Sequence, residues 1–363
     1  DAAVALDGPE LARLAKTAGR EKLYVCIGII ERDGGTLYCT AVYLGAVPTE
    51  FDLVGIADFN GDGYLDLVWR NSVTGDTFVW FFNGTQYVGG AYLFSPAPSW
   101  KVAALADFNG DGKADLVAGA NNYGSADVGR VYFFYSQNGV FNTNQSTLGE
   151  SSSSWFASAL TSGDFNADGR IDFAVGSYGY NPGGAANTGR AYIFYNDGSI
   201  PTTAATADVI ITGNATNDEF GIGITAGDVN ADGKTDLIVG AEGYSTSTGR
   251  AYIFYNDGSI PTTAGTADVT ITGEATSNYF GQSLSTGDFN ADGTVDLMVG
   301  ARGNSSNVGR VYLFYNDGSI PTTAATSDVY ISGSSSISFG LSVAQGDVNA
   351  DGKIDIIAGA TGY

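Results

Sequence analysis

Histidine is absent from the 363 residues, and cysteine nearly so, with two copies. Without imidazole there is no Ser-His-Asp or Cys-His machinery, no histidine zinc site and no imidazole general base. Basic residues are also scarce. Lys and Arg number 16 against 39 Asp and Glu, a formal net charge of −23. A surface this acidic argues against nucleic acid and anionic membrane as partners, because both need basic patches to displace counterions. No apolar run approaches the length of a transmembrane helix, so direct membrane insertion is not expected.

The acids that are present are concentrated in one motif. A nine-residue loop, Asp-x-Asn-x-Asp-Gly-x-x-Asp, occurs six times, starting at Asp58, Asp107, Asp164, Asp228, Asp288 and Asp347. Position three is Asn60, Asn109, Asn166, Asn230, Asn290 and Asn349, and position five is Asp62, Asp111, Asp168, Asp232, Asp292 and Asp351. Position nine is Asp66, Asp115, Asp172, Asp236, Asp296 and Asp355. The backbone carbonyls at position seven belong to Tyr64, Lys113, Arg170, Lys234, Thr294 and Lys353. Oxygen donors at one, three, five, seven and nine, with Gly at six for a tight bend, suit a hard cation such as Ca²⁺. One such loop is no more than an Asx-turn, but six at a regular spacing point to about six bound Ca²⁺. Six divalent ions would reduce the net charge from −23 to −11.

What flanks each loop excludes an EF-hand, whose loop ends in Glu and enters a helix. Here the ninth residue runs into short β-prone segments such as Leu67-Val68-Trp69 and Leu237-Ile238-Val239. The segments before the loops, Leu53 to Ala57 and Val102 to Ala106, are likewise short and apolar. Each loop therefore joins two strands. Loop starts recur at intervals of 49, 57, 64, 60 and 59 residues, and the string Tyr-Asn-Asp-Gly-Ser-Ile-Pro-Thr-Thr-Ala returns from Tyr195, Tyr255 and Tyr315. Two further strands per unit, as at Arg190–Tyr195 and Asp208–Thr212, give four strands per repeat, the pattern of an all-β β-propeller.

The chain resembles the FG-GAP repeats of integrin α-subunit propellers and the related bacterial VCBS repeats over about residues 51 to 363. The residues that carry this are Phe220-Gly221, Gly227-Asp228 through Asp236, Val239-Gly240-Ala241 and Gly249-Arg250-Ala251-Tyr252, with echoes at Phe280-Gly281, Gly300-Ala301, Phe339-Gly340 and Gly359-Ala360. The first two units depart from the pattern, with Phe51 and Trp100 one residue nearer the loop and Leu67-Val-Trp-Arg-Asn-Ser72 in place of the Gly-Ala step.

The sixth unit ends after its first two strands, while residues 22 to 44 read as two strands without a loop before them. Joined, they make a sixth four-stranded blade closed by both termini, which leaves no open edge. Integrin propellers have seven blades, so a seventh built partly from residues 1 to 50 is the alternative. The domain reading is an N-terminal segment, 1–21, with a short helix over 7–20, followed by a single calcium-binding propeller, 22–363. Cys26 and Cys39 flank Glu31-Arg-Asp-Gly-Gly35 and are expected opposite one another in a hairpin, as a disulfide or as two free thiols. The disulfide, the calcium and a start at Asp1 without Met fit a processed protein that is secreted or at the cell surface.

Catalysis is not expected. Carboxylate-pair glycoside chemistry and a sialidase-like Tyr with an Arg cluster remain open to a chain without histidine. However, Arg130, Arg190, Arg250 and Arg310 occupy one repeat position, which predicts structural ion pairs. The segments that differ between repeats join strands two and three or connect units, at the end opposite the metal loops. Their Tyr123, Tyr178, Tyr180 and Tyr244 are the candidate ligand-binding residues, for a cell-surface protein or glycan. Each taken singly also reads as an aromatic capping the blade core. A structural subunit pairing with other copies of itself is the competing reading.

Overall fold

The structure, a computed structural model, describes residues 26–33, 36–43, 50–84, 86–94, 100–124, 126–137, 139–184, 186–347 and 352–361. The expected N-terminal helix lies outside these residues, as do Asn349 and Asp351 of the sixth loop. The chain divides into two compact units, Asp1–Pro98 with Gln137–Phe141, and Ser99–Ser136 with Asn142–Tyr363.

In the first unit, strands β1 (Cys26–Asp33) and β2 (Thr36–Tyr43) form a two-stranded sheet. Strands β3 (Phe51–Ala57), β4 (Asp66–Asn71), β5 (Thr77–Asn83) and β6 (Gln86–Phe94) follow as a four-stranded antiparallel sheet in chain order. Its core is aromatic, with Leu67, Trp69 and Phe82 buried against Phe51, Leu53 and Trp80.

The second unit repeats that sheet four times. Its strands are β7 (Lys101–Ala106), β8 (Asp115–Ala120), β9 (Arg130–Gln137) and β10 (Val140–Leu148), then β11 (Leu160–Gly163), β12 (Asp172–Ser177), β13 (Arg190–Phe194) and β14 (Val209–Thr212). Next come β15 (Phe220–Gly227), β16 (Asp236–Ala241), β17 (Arg250–Phe254) and β18 (Val269–Thr272), and β19 (Phe280–Gly287), β20 (Asp296–Ala301), β21 (Arg310–Phe314) and β22 (Val329–Ser332). A two-stranded sheet of β23 (Ser342–Gly346) and β24 (Asp355–Gly359) ends the chain. The architecture is an all-β propeller of four-stranded blades, as the repeat predicts.

The second strand of each blade explains its sequence. β8, β12, β16 and β20 are buried at every residue, because a neighbouring sheet covers each face, and so they read as unbroken apolar runs such as Leu237-Ile-Val-Gly-Ala241. Packing is between blades. Ile193 and Ile211 of one blade share a cluster with Phe220, Val239 and Tyr252 of the next. Phe220 and Phe280 are completely buried, each edge-on to the Tyr of its own third strand, at 5.4 Å from Tyr252 and 5.5 Å from Tyr312. The glycine after that Phe lets backbones touch. A Cβ on Gly240 would lie 1.8 Å from the carbonyl oxygen of Gly281, and one on Gly176 would lie 2.0 Å from that of Gly221.

One expectation is corrected here. In the first hairpin Cys26 lies opposite Tyr43 and Cys39 opposite Ile30. The strands continue through Glu31, Arg32 and Asp33, which were expected in the turn, so the bend comes later in the chain. The two cysteines then sit four positions apart on the ladder, about 13 Å at ~3.3 Å per residue. A disulfide spans Cα atoms about 4.4–6.8 Å apart, so the Cys26–Cys39 bridge does not fit this register. The strands expected to share a blade are each described as a pair. β1 pairs with β2 and β23 with β24, each as a sheet of two.

Candidate metal loops and the opposite end of the blades

Each Asp-x-Asn-x-Asp-Gly loop joins the first and second strands of its sheet, as the sequence predicts. The fourth copy shows how it folds. Asp228 accepts the N–H of Asp232 on Oδ1 at 3.0 Å and that of Gly233 on Oδ2 at 2.8 Å. Asn230 Oδ1 accepts the N–H of Asp232 at 3.0 Å, and Asp232 Oδ1 accepts that of Lys234 at 2.9 Å. Gly233 has φ +86°, the left-handed conformation the bend demands. These short polar side chains satisfy a backbone that belongs to no ladder.

The ninth residue has a second task that sequence reasoning missed. Asp236 is fully buried; its Oδ2 accepts the N–H of Val229 at 2.9 Å and its Oδ1 that of Asn256 at 2.8 Å. It thus ties the loop to the end of the third strand. Asp66, Asp115, Asp172 and Asp296 do the same. Asn256 in turn donates to the carbonyl of Phe165 in the preceding blade's loop at 2.8 Å, and Asn196 to that of Phe108 at 2.6 Å. The only signal for this was the recurring Tyr-Asn-Asp-Gly string.

Burial pushes the carboxyls of Asp66, Asp115, Asp172 and Asp236 up to about 6, with backbone hydrogen bonds opposing and the loop's own Asp residues adding to the rise. In the fourth loop Asp228 and Asp232 act on Asp236 in this way, so the three negative charges feel one another. A cation would relieve that repulsion. Among the described residues no three Asp, Glu, Cys or His side chains already stand as a metal cluster, because these carboxylates are aimed at N–H groups. Each carboxylate offers about four lone-pair sites, however, so an oxygen that accepts an N–H can also face a metal ion. The all-oxygen donor set fits Ca²⁺.

At the opposite end of the sheets two of the four repeat arginines form the ion pairs that the sequence predicts. Arg190 pairs with Glu150 at 2.8 Å and Arg310 with Glu274 at 3.1 Å. Of the four candidate tyrosines, three lie under these arginines, with guanidinium to ring-centroid distances of 4.2 Å for Arg130 on Tyr123, 3.8 Å for Arg190 on Tyr180 and 3.7 Å for Arg250 on Tyr244. Tyr178 meets Trp155 edge-on at 4.8 Å, and burial pushes its hydroxyl up to about 12. All four are half-buried. Sequence reasoning passed over a better-organised row at this end. The residues before Phe156, Phe220 and Phe280, each with the residue 23 positions later, form the pairs Trp155 and Tyr178, Glu219 and Glu242, and Tyr279 and Arg302. Trp155, Glu219 and Tyr279 all hold positive φ, at 49°, 56° and 54°.

Residues 58–118 and 288–358 match the family model of the FG-GAP-like repeat, and residues 156–194 and 220–254 that of the FG-GAP repeat, together more than half of the chain. The chain belongs to the FG-GAP repeat family. The FG-GAP protein is 33% identical over 175 residues to phosphatidylinositol-glycan-specific phospholipase D of Bos taurus, covering 44% of this chain and 20% of that one. It is 33% identical over 207 residues to integrin alpha-M of Mus musculus, covering 52% and 16%. Residues 1–50 of the FG-GAP protein match a different model, carbon-nitrogen hydrolase. Over 45 residues the chain is 56% identical to the bifunctional nitrilase/nitrile hydratase NIT4A of Lupinus angustifolius, 12% of this chain and 13% of that one. The chain thus spans about a fifth or less of each of these relatives, two of which carry enzyme names. No helix of the described residues is long and apolar enough to cross a membrane.

Proposed function

We propose that this chain is an extracellular, calcium-binding propeller that recognises a protein or glycan and does not catalyse a reaction. One observation carries the reading. Blades that are near copies in loop and strand place different side chains at homologous positions of one end, Tyr178, Glu242 and Arg302 among them, as a rigid scaffold does when it displays a recognition surface. The likeness to integrin alpha-M supports a protein partner. Among the described residues the arginines at the repeat position are engaged with glutamates and tyrosines, which disfavours sialidase-like chemistry at those positions. In the loops, the first, third, fifth and ninth side chains and the seventh carbonyl would hold Ca²⁺. Bound there, the ion would cancel the mutual repulsion of the three carboxylates and brace the first two strands of each blade.

A self-associating structural subunit is the second reading. It is favoured by β22, where every residue is exposed, including Val329, Tyr330 and Ile331. Sedimentation of the purified chain over a range of concentrations reads this directly. The recognition reading is tested on arrays of glycans and cell-surface proteins. A double variant, Tyr178→Ser with Tyr180→Ser, should lose binding that Asp232→Ala keeps. The reverse pattern would put recognition on the loop side and overturn the reading.

A further inference from the structure

The row of paired positions contains one mismatch. Trp155 with Tyr178 is an aromatic edge contact at 4.8 Å, and Tyr279 with Arg302 is a cation over a ring at 3.9 Å. Both are attractive. Between them in chain order, Glu219 and Glu242 bring two carboxylates to the positions where neighbouring repeats place attracting partners. Both line an open cleft of about 780 Å³ whose walls include Asp218, Tyr244, Tyr279 and Arg302. The side chain of Glu242 is only 9% exposed, and its one partner among the described residues is Arg302, which donates from Nη2 to Oε2 at 3.3 Å. Its Oε1 hydrogen-bonds to no described residue. The carboxylate of Glu219, held at the cleft by a left-handed backbone, likewise has no hydrogen-bond or ion-pair partner among the described residues. Asp218 is buried and accepts the N–H of Ala215. Glu219 and Glu242 therefore face one cation, Arg302, whose Nε is itself buried without an acceptor, while Asp218 feels the neighbouring Arg250.

We propose that this cleft binds the basic side chain of a partner protein, a lysine ammonium or an arginine guanidinium, which is taken by Glu219 and the free Oε1 of Glu242. The molecule already holds such a group in the same way. Arg302 lies flat on Tyr279 while pairing with Glu242, so the cleft demonstrates its preference on its own arginine. A bare metal ion is the poorer occupant: the cleft is far larger than an ion, and its carboxylates do not meet as a metal cluster. Burial pushes the Glu242 carboxyl up to about 7, Arg302 opposing and Glu219 adding.

The inference rests on the recognition reading and names the chemistry of that end. Calorimetric titration of the full chain, at fixed calcium, with an acetyl-Gly-Arg-Gly-amide peptide and its citrulline counterpart tests it. The arginine peptide should bind, and the uncharged citrulline form should bind about tenfold more weakly, the worth of one charged hydrogen bond. Glu219→Gln should weaken the arginine peptide by a similar factor. Arg302→Gln should tighten it, because the competing internal cation is gone. Equal binding of the citrulline peptide, loss of binding in Arg302→Gln, or displacement of the peptide by added calcium would overturn the proposal, as would no binding at all. Should the peptide fail while the array signal still disappears with Tyr178→Ser and Tyr180→Ser, the cation site is wrong and the recognition reading survives.

Discussion

Gly240→Ala probes how the blades are joined. In the native packing a Cβ at this position would stand 1.8 Å from the Gly281 carbonyl oxygen and 2.8 Å from its carbon. Both neighbours are backbone, so no side-chain rotation can relieve the clash, and two buried strands must separate. Overpacking a well-filled core costs about 1–3 kcal/mol, occasionally more, and a backbone-on-backbone clash belongs at the upper end. Gly183→Ala is the matched control, with φ +62° and nothing within 4 Å of its added Cβ. It should cost about 1 kcal/mol from the left-handed backbone alone. For a unit of this size one kcal/mol is worth roughly 2 °C in melting temperature, so the expected losses are about 6 °C and about 2 °C. Differential scanning calorimetry at fixed calcium measures both. A Gly240→Ala protein that melts within a degree or so of Gly183→Ala would refute the close inter-blade contact.

Other consequences follow from the buried acids and the loops. Chelation should lower the melting temperature sharply, since each ion bound only to the folded loop stabilises by about 2.7 kcal/mol at a hundredfold excess over its dissociation constant; an unchanged melting curve in EDTA would sink this. Glu242 is raised in the folded chain to about 7, so between the ordinary glutamate value and 7 the native state holds more protons than the unfolded one. Its contribution to stability therefore falls as pH rises through that window, by up to about 3 kcal/mol. Glu242→Gln should shrink the stability difference between pH 5 and pH 8 measured by urea unfolding, and an identical difference would contradict it. Asn256→Ala strips the Phe165 carbonyl of its buried partner and should cost about 1–3 kcal/mol in the same assay.

Much of the fold was legible because the local signals and the repeat agree. Asp-x-Asn-x-Asp-Gly demands a tight turn, the apolar runs on either side are too short for helices, and a period near 60 residues repeats the pattern. What was not legible depends on contacts between repeats. That Asp236 is sunk between strands follows from a third strand 20 residues away, and that Gly240 must lack a side chain follows from a backbone in the next blade. Tyr244 reads in sequence as an exposed loop aromatic, yet Arg250 lies over its ring. The pairing of Glu219 with Glu242 was hidden because 23 residues separate positions that the fold brings to one cleft. The cysteine register failed for a local reason, the strands running on through Glu31, Arg32 and Asp33.

Whether the six loops are cation sites decides whether metal braces one end of the blades while the other is free for recognition. Metal analysis after exhaustive dialysis against micromolar calcium reads it directly: about six Ca²⁺ per chain are expected, one fewer in Asp232→Ala, and two or fewer in the parent chain would contradict it.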